Sequence, residues 1–261
     1  VALGPVRGLI SNILWMNADE KQREKEYFET MQYCRWVSMI QPQQEDVWRY
    51  MGWNISYNIS GDFSDLQEKW QWINSGIKLM RNEGLRYNPN SIIISDEIAR
   101  TYSAKFTLGP PRQLHFFRQS FFREMQEYFD NSDAHFFNEI YNAPISLEKL
   151  KNNPDVTSLL EKQPDLLSQP FNISSNSSTA IKKVYYYLKR YKIETELKLS
   201  INKIMLLNQE TGGLDWRLFH AHALYYTCPE GIYKIINKPG LPAMQAKSLI
   251  IQALQTGGAQ I

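Results

Sequence analysis

Between residues 48 and 80 large apolar side chains return every three or four positions, and one glycine sits inside the series. Trp48, Gly52, Ile55 and Ile59 step by four, three and four, and after Gly61-Asp62 the pattern resumes with Leu66, Trp70, Ile73, Ile77 and Met80. That period gathers each set on one face of an α-helix. A glycine inside a helix costs about 1 kcal/mol relative to alanine. Gly52 therefore predicts a neighbouring helix close enough to need the missing side chain. Ser64 with Gln67 has capping-box spacing ahead of the second helix, and Gly84 followed by Pro89 ends it. A chain written this way folds into helices packed in pairs.

The same punctuation runs along most of the sequence. Leu9, Ile13 and Met16 mark a first helix after Pro5, and Tyr27, Met31, Cys34 and Val37 mark a second that ends at Pro42. Ile94, Ile98 and Tyr102 share a face, so the run from Ile92 reads as helix rather than strand. Gly109-Pro110-Pro111 breaks the chain before a further stripe of Leu114, Phe117, Phe121 and Tyr128. From Asn131 to Ser178 four prolines permit only short helices, around 146–151 and 156–162, and the serine-rich stretch 172–178 reads as a loop. A long helix is predicted from Thr179 to about Glu196, with Val184, Leu188 and Tyr191 facing inward. Another follows Ser200 and stops at Gly212-Gly213, one spans roughly 216–227, and a last begins near Pro242. The expected fold is all-α: a right-handed solenoid of helical hairpins over 1–130, an irregular connector over 131–178, and a C-terminal helical cap over 179–261.

Composition excludes several function classes. Basic and acidic side chains number 29 and 27, for a formal charge of +2. So even a balance provides no whole-molecule field to draw in nucleic acid or anionic lipid. The run from Lys182 to Arg190, interleaved with Tyr185, Tyr186 and Tyr187, reads as a solvated helix face. RNA binding through it ranks below the other readings. No apolar run is long enough to span a bilayer; a membrane contact would have to come from a segment ahead of Val1. The sequons at Asn54, Asn58, Asn172 and Asn176 read as chance matches, and Cys34 and Cys228 make no framework.

Catalytic signatures are lacking. No GxSxG, HExxH or glycine-rich phosphate loop occurs, and adjacent Asp96 and Glu97 diverge on a helix. His220, His222 and Cys228 invite a zinc reading. Helical neighbours two apart, however, diverge by about 200°, so no metal or other cofactor is expected.

Pro42, Trp48 and Gly52 resemble the punctuation of tetratricopeptide repeats, with an insertion at 60–65 that lengthens the period. Arg7-Gly8-Leu9, Leu14-Trp15, the string Trp53 to Asn58, Glu83 to Pro89, and Leu214 to Arg217 with Ala221-His222-Ala223 are similar to a group of uncharacterised bacterial proteins. Those proteins carry a tetratricopeptide-like helical domain, often behind a hydrophobic N-terminal segment. The resemblance implies a helical-repeat fold and an envelope or membrane-anchored setting, and no enzymatic activity.

The functional expectation is a non-catalytic scaffold that binds a protein or peptide, with a self-associating envelope component as the alternative. Asn54, Tyr57 and Asn58 are the leading candidates, since asparagines on a concave surface can clamp a peptide backbone. Arg217 and His222 are candidates to grip a ligand carboxylate. The competing structural reading has Asp215 capping a helix, Trp216 packed beneath the turn and Arg217 ion-paired.

Overall fold

The computed structural model describes residues 4–130, 133–169 and 171–227. The described residues are all-α, without strands. The described residues fall into two compact units, 4–120 with 222–227, and those within 121–221. Residues 131–178 thus share a unit with 179–221. The helix expected near Pro242 lies outside the described residues, as does Cys228.

In the first unit, α1 (Gly4–Arg23) and α2 (Tyr27–Ile40) form a hairpin, followed by α3 (Glu45–Asn54). Ala18, Cys34, Val37, Val47 and Met51 are buried together, with Leu14 and Trp15 packed against them. Leu9, Ile13 and Met16 are turned away from that core, at 63%, 51% and 73% exposure. The periodicity that marks this helix belongs to its outward face.

The helical run of α3 continues through a π-helical turn, Ile55–Ile59, and ends with Ser60–Asp62. α4 (Leu66–Leu79) likewise passes into a π-helical turn, Met80–Gly84, before Leu85–Tyr87. Its cap is Asp65, whose carboxylate accepts from the backbone N–H of Gln67 and Glu68, not Ser64. α5 (Ile92–Thr107) starts at Ser91, and Ile94, Ile98 and Tyr102 are buried along it. α3 packs on both α4 and α5, and α5 meets the second π turn and the Trp70 ring of α4. α6 (Pro111–Gln126) then carries the chain onward, with Phe117 fully buried.

The glycine prediction holds, and it has a counterpart. A Cβ on Gly52 would meet the Met80 side chain, with Sδ at 2.5 Å. A Cβ on Gly76 would collide with Ser56 Oγ and approach the Gly52 carbonyl oxygen to 2.6 Å. The two glycines thus let α3 and α4 meet backbone to backbone, and this contact offsets the helical cost of each.

The second unit contains α7 (Ala134–Asn142), α8 (Leu147–Lys151), α9 (Pro154–Lys162), α10 (Thr179–Thr195) and α11 (Ile201–Thr211). α12 (Phe219–Thr227) follows. α10 packs against α7, α9 and α11. Val184 is buried, but Tyr191, expected to face inward, is 51% exposed. Ser200 caps α11 through the Lys203 N–H, and Gly212 ends it in the left-handed region at φ 83°.

Candidate functional site

Asn54, Tyr57 and Asn58 occupy the last residue of α3 and the π turn that follows. Widening the helix by one residue rotates these side chains away from α-helical register. Asn54 is fully buried, and its Oδ1 accepts from Asn58 Nδ2 at 2.7 Å. Its own Nδ2 is buried without a hydrogen-bond partner. The expected clamp on a concave surface is therefore not what this amide forms. Asn54 turns inward, and half-buried Asn58 spends a donor on it.

Tyr57, also half-buried, lies under Lys105, whose Nζ stands 4.0 Å from the ring centroid. Burial lowers the Lys105 ammonium to about 8, helped by the nearby Lys69 charge, and burial raises the Tyr57 hydroxyl. Glu97 on α5 is buried, and that burial raises its carboxyl against the pull of Arg49 and Arg100. These charged groups sit along a packed helix seam, and no hydrogen bond joins Glu97 to Lys105 among the described residues.

The segment that follows the second π turn anchors the loop before α3. The Pro42 carbonyl accepts from the Trp48 indole at 2.8 Å and from Asn88 Nδ2 at 3.1 Å. The Trp48 ring stacks on Tyr87, centroids 5.8 Å apart. The strings 53–58 and 83–89 singled out in the sequence coincide with the two π turns and their continuations.

Arg217 and His222 also have structural surroundings. Arg217 binds Asp215 through both carboxylate oxygens, at 2.9 and 2.8 Å, and donates to the Asp130 carbonyl. Asp215 accepts from the Arg217 backbone N–H, making a tight turn rather than the cap of α12, which starts at Phe219. Trp216 is fully buried against Phe129 and Phe137, its indole donating to Asn208. His222 is 1% exposed, its ring 5.6 Å from that of Tyr102. No group of residues arranged to hold a metal ion occurs among the described residues.

A cleft of about 430 Å³ in the second unit is lined by Leu167, Phe171, Leu188, Tyr185 and Lys189. At its heart Asp130 accepts from the Tyr185 hydroxyl and from Lys189 Nζ at 2.8 Å, and Lys189 also donates to the Glu127 carbonyl. Burial and the Asp130 hydrogen bond raise the Tyr185 hydroxyl, which keeps it a donor. The central charges of the cleft neutralise one another.

An exposed apolar stripe runs along α1. Val6, Leu9, Ile10, Ile13 and Met16 are each between 40% and 73% exposed along a single face of α1. Residues 8–18 carry no charged side chain. The sequence did contain a signal for this. Ser11 and Ala18, both buried, are the small residues that let α1 lie against α2, which leaves the larger stripe outside.

A comparison of the chain with family models, curated proteins and solved structures finds no match.

Proposed function

We propose that this chain is a non-catalytic helical scaffold that holds another protein through the outward apolar face of α1. In the same reading its hairpins form a right-handed, tetratricopeptide-like solenoid of the bacterial family that the sequence resembles. The bulky-then-small pair Trp48 and Gly52, and the successive packing of α3, α4 and α5, support that arrangement. An envelope setting comes from the resemblance alone.

The observation that carries the binding function is the stripe of Val6, Leu9, Ile13 and Met16. Helices of globular proteins normally turn such a stripe to the core, and contiguous exposed apolar surface rimmed by polar residues marks an interaction site. Binding through Asn54 would require opening a buried helix seam, so α1 replaces it as the contact surface. A photo-crosslinking amino acid at Ile13, introduced in cells of the natural host, tests this reading. A discrete covalent protein adduct is expected, lost when Leu9 and Met16 become glutamate. Absence of any adduct counts against the binding face.

A further inference from the structure

We infer that the cleft of the second unit is a binding site for a monocarboxylate with an apolar tail, gripped by Lys189 and Lys192. The site belongs to that unit alone and does not depend on α1 being a binding face. Tyr185, Leu188, Lys189 and Lys192 are spaced i, i+3, i+4 and i+7 along α10, so one helix face supplies all four to the cleft. Leu167 and Phe171 complete an apolar wall with Leu188. Each of the three packs against the core cluster that contains Val184 and Tyr187, and each also lines the cleft. The space of about 430 Å³ falls within the range, roughly 300–1,000 Å³, of sites that take small organic molecules.

Hydrogen-bond valence identifies the polar end of the ligand. Both carboxylate oxygens of Asp130 are engaged, one accepting from the Tyr185 hydroxyl and the other from Lys189 Nζ. Tyr185, 4% exposed, has spent its proton there. Lys189 has a donor left. An ammonium carries three N–H groups, and Lys189 gives one to Asp130 and one to the Glu127 carbonyl. Only 14% of its side chain is exposed, so the third donor has little access to water and calls for an acceptor. Lys192, one turn further along α10, makes no side-chain hydrogen bond and no ion pair among the described residues. Two cationic donors thus stand one turn apart beside an apolar wall, the complement of a carboxylate on a hydrocarbon tail. A phosphate dianion fits less well, because Asp130 and Glu127 line the same cleft and two ammonium groups already balance them. Nor does the basic run offer a strip for a nucleic-acid backbone. Lys182 donates to the Ser175 carbonyl, and Arg190 to the carbonyls of Tyr141 and Ala143.

Calorimetric titration of the full chain with octanoate, octanamide and an acetylated peptide ending in leucine tests the inference. Octanoate should bind, and octanamide about tenfold more weakly or worse, since it keeps the tail and loses the charge. Lys192→Gln should bring octanoate down to the level of the amide and leave the amide where it was. Lys192→Arg should retain most of the octanoate affinity. Glu127→Gln should tighten octanoate about two- to threefold, because an exposed, screened charge of the wrong sign is removed. Circular dichroism melts of the unliganded variants should match the wild type, as the Lys192 ammonium and the Glu127 carboxylate hold nothing in place. Equal binding of octanoate and octanamide, affinity indifferent to Lys192→Gln, or failure of both carboxylates to bind overturns the inference. Where the site stands, the tighter of the two carboxylates names its source: octanoate a free acid, the peptide a chain terminus.

Discussion

Gly52 and Gly76 occupy the same helix contact but meet different neighbours, and their alanine substitutions should differ accordingly. At Gly52 the obstacle is the flexible side chain of Met80, while at Gly76 it includes the Gly52 carbonyl at 2.6 Å. A side chain can turn aside, whereas a helix backbone cannot without separating the helices. Gly76→Ala should lose about 3 kcal/mol or more of unfolding free energy, and Gly52→Ala about half as much. Met80→Ala should reduce the penalty of Gly52→Ala and leave that of Gly76→Ala unchanged, which a double-mutant cycle in urea reads directly. Lys105 makes a separate prediction with pH. Its ammonium is lowered from 10.5 to about 8 by burial and Lys69. Between those values the unfolded chain holds a proton that the folded one has released. Stability should therefore rise as pH climbs through 8 and level off near 10.5. Lys105→Met should flatten that rise and shift the urea midpoint at pH 7 upward. An unchanged slope in the variant would place the origin of the rise elsewhere.

Helix starts in this chain are held with unequal strength. Ser91 Oγ accepts from the Ile94 N–H at the head of α5 and donates to Glu45 Oε2 at 2.6 Å, and the residue is buried. Ser178 caps α10 through the Ile181 N–H but is exposed to water. Ser91→Ala should cost about 2 kcal/mol and Ser178→Ala about 0.5, because only the first leaves buried groups without partners. Denaturant midpoints of the two variants check the ranking. At this scale most of the sequence was readable. Pro42, Ser200 and Gly212 mark real element ends, because a missing donor, a left-handed φ or a side-chain cap acts within a few residues; Gly84, expected to end a helix, is itself helical, and the run continues to Tyr87. The π turns at 55–59 and 80–84 were not readable, since one extra residue per turn changes the apolar spacing too little to distinguish it from α-helix. α7 was missed in a region read as irregular, although Asp133 caps it and Phe136, Phe137 and Ile140 are buried along it. The candidate site fared worse. Asn54, Arg217 and His222 have side chains suited to recognition, but whether an amide or a ring faces solvent depends on packing partners tens of residues away. Periodicity located the stripe on α1 and could not say which way it points, since an apolar face looks the same whether it meets the core or a partner.

At the scale of the whole chain, two compact units raise the question of whether they unfold together. Tyr226 belongs to the first unit, 4% exposed and stacked on Tyr102 of α5 with centroids 6.3 Å apart. Trp216 belongs to the second, fully buried against Phe129 and Phe137 and tied to Asn208 of α11. Removing either ring leaves a large cavity, a loss of about 3–5 kcal/mol by comparison with other buried aromatics. The Tyr226 hydroxyl has no hydrogen-bond partner, so its ring accounts for the stabilisation, and Tyr226→Phe should be neutral or slightly stabilising. If the units are separate cooperative blocks, each cavity weakens only its own. Tyr226→Ala should then speed amide exchange through α5 and leave α7 and α11 at their wild-type rates. Trp216→Ala should do the reverse. Native-state hydrogen exchange read by mass spectrometry on peptides covering 92–107 and 201–211 distinguishes the cases. Equal acceleration in both peptides from either substitution would mean that the chain opens as one block, with the boundaries at 120 and 221 describing contact density but not energetics. The reciprocal pattern would show that α1 and its outward face belong to a block whose stability can be altered without touching the cleft around Asp130.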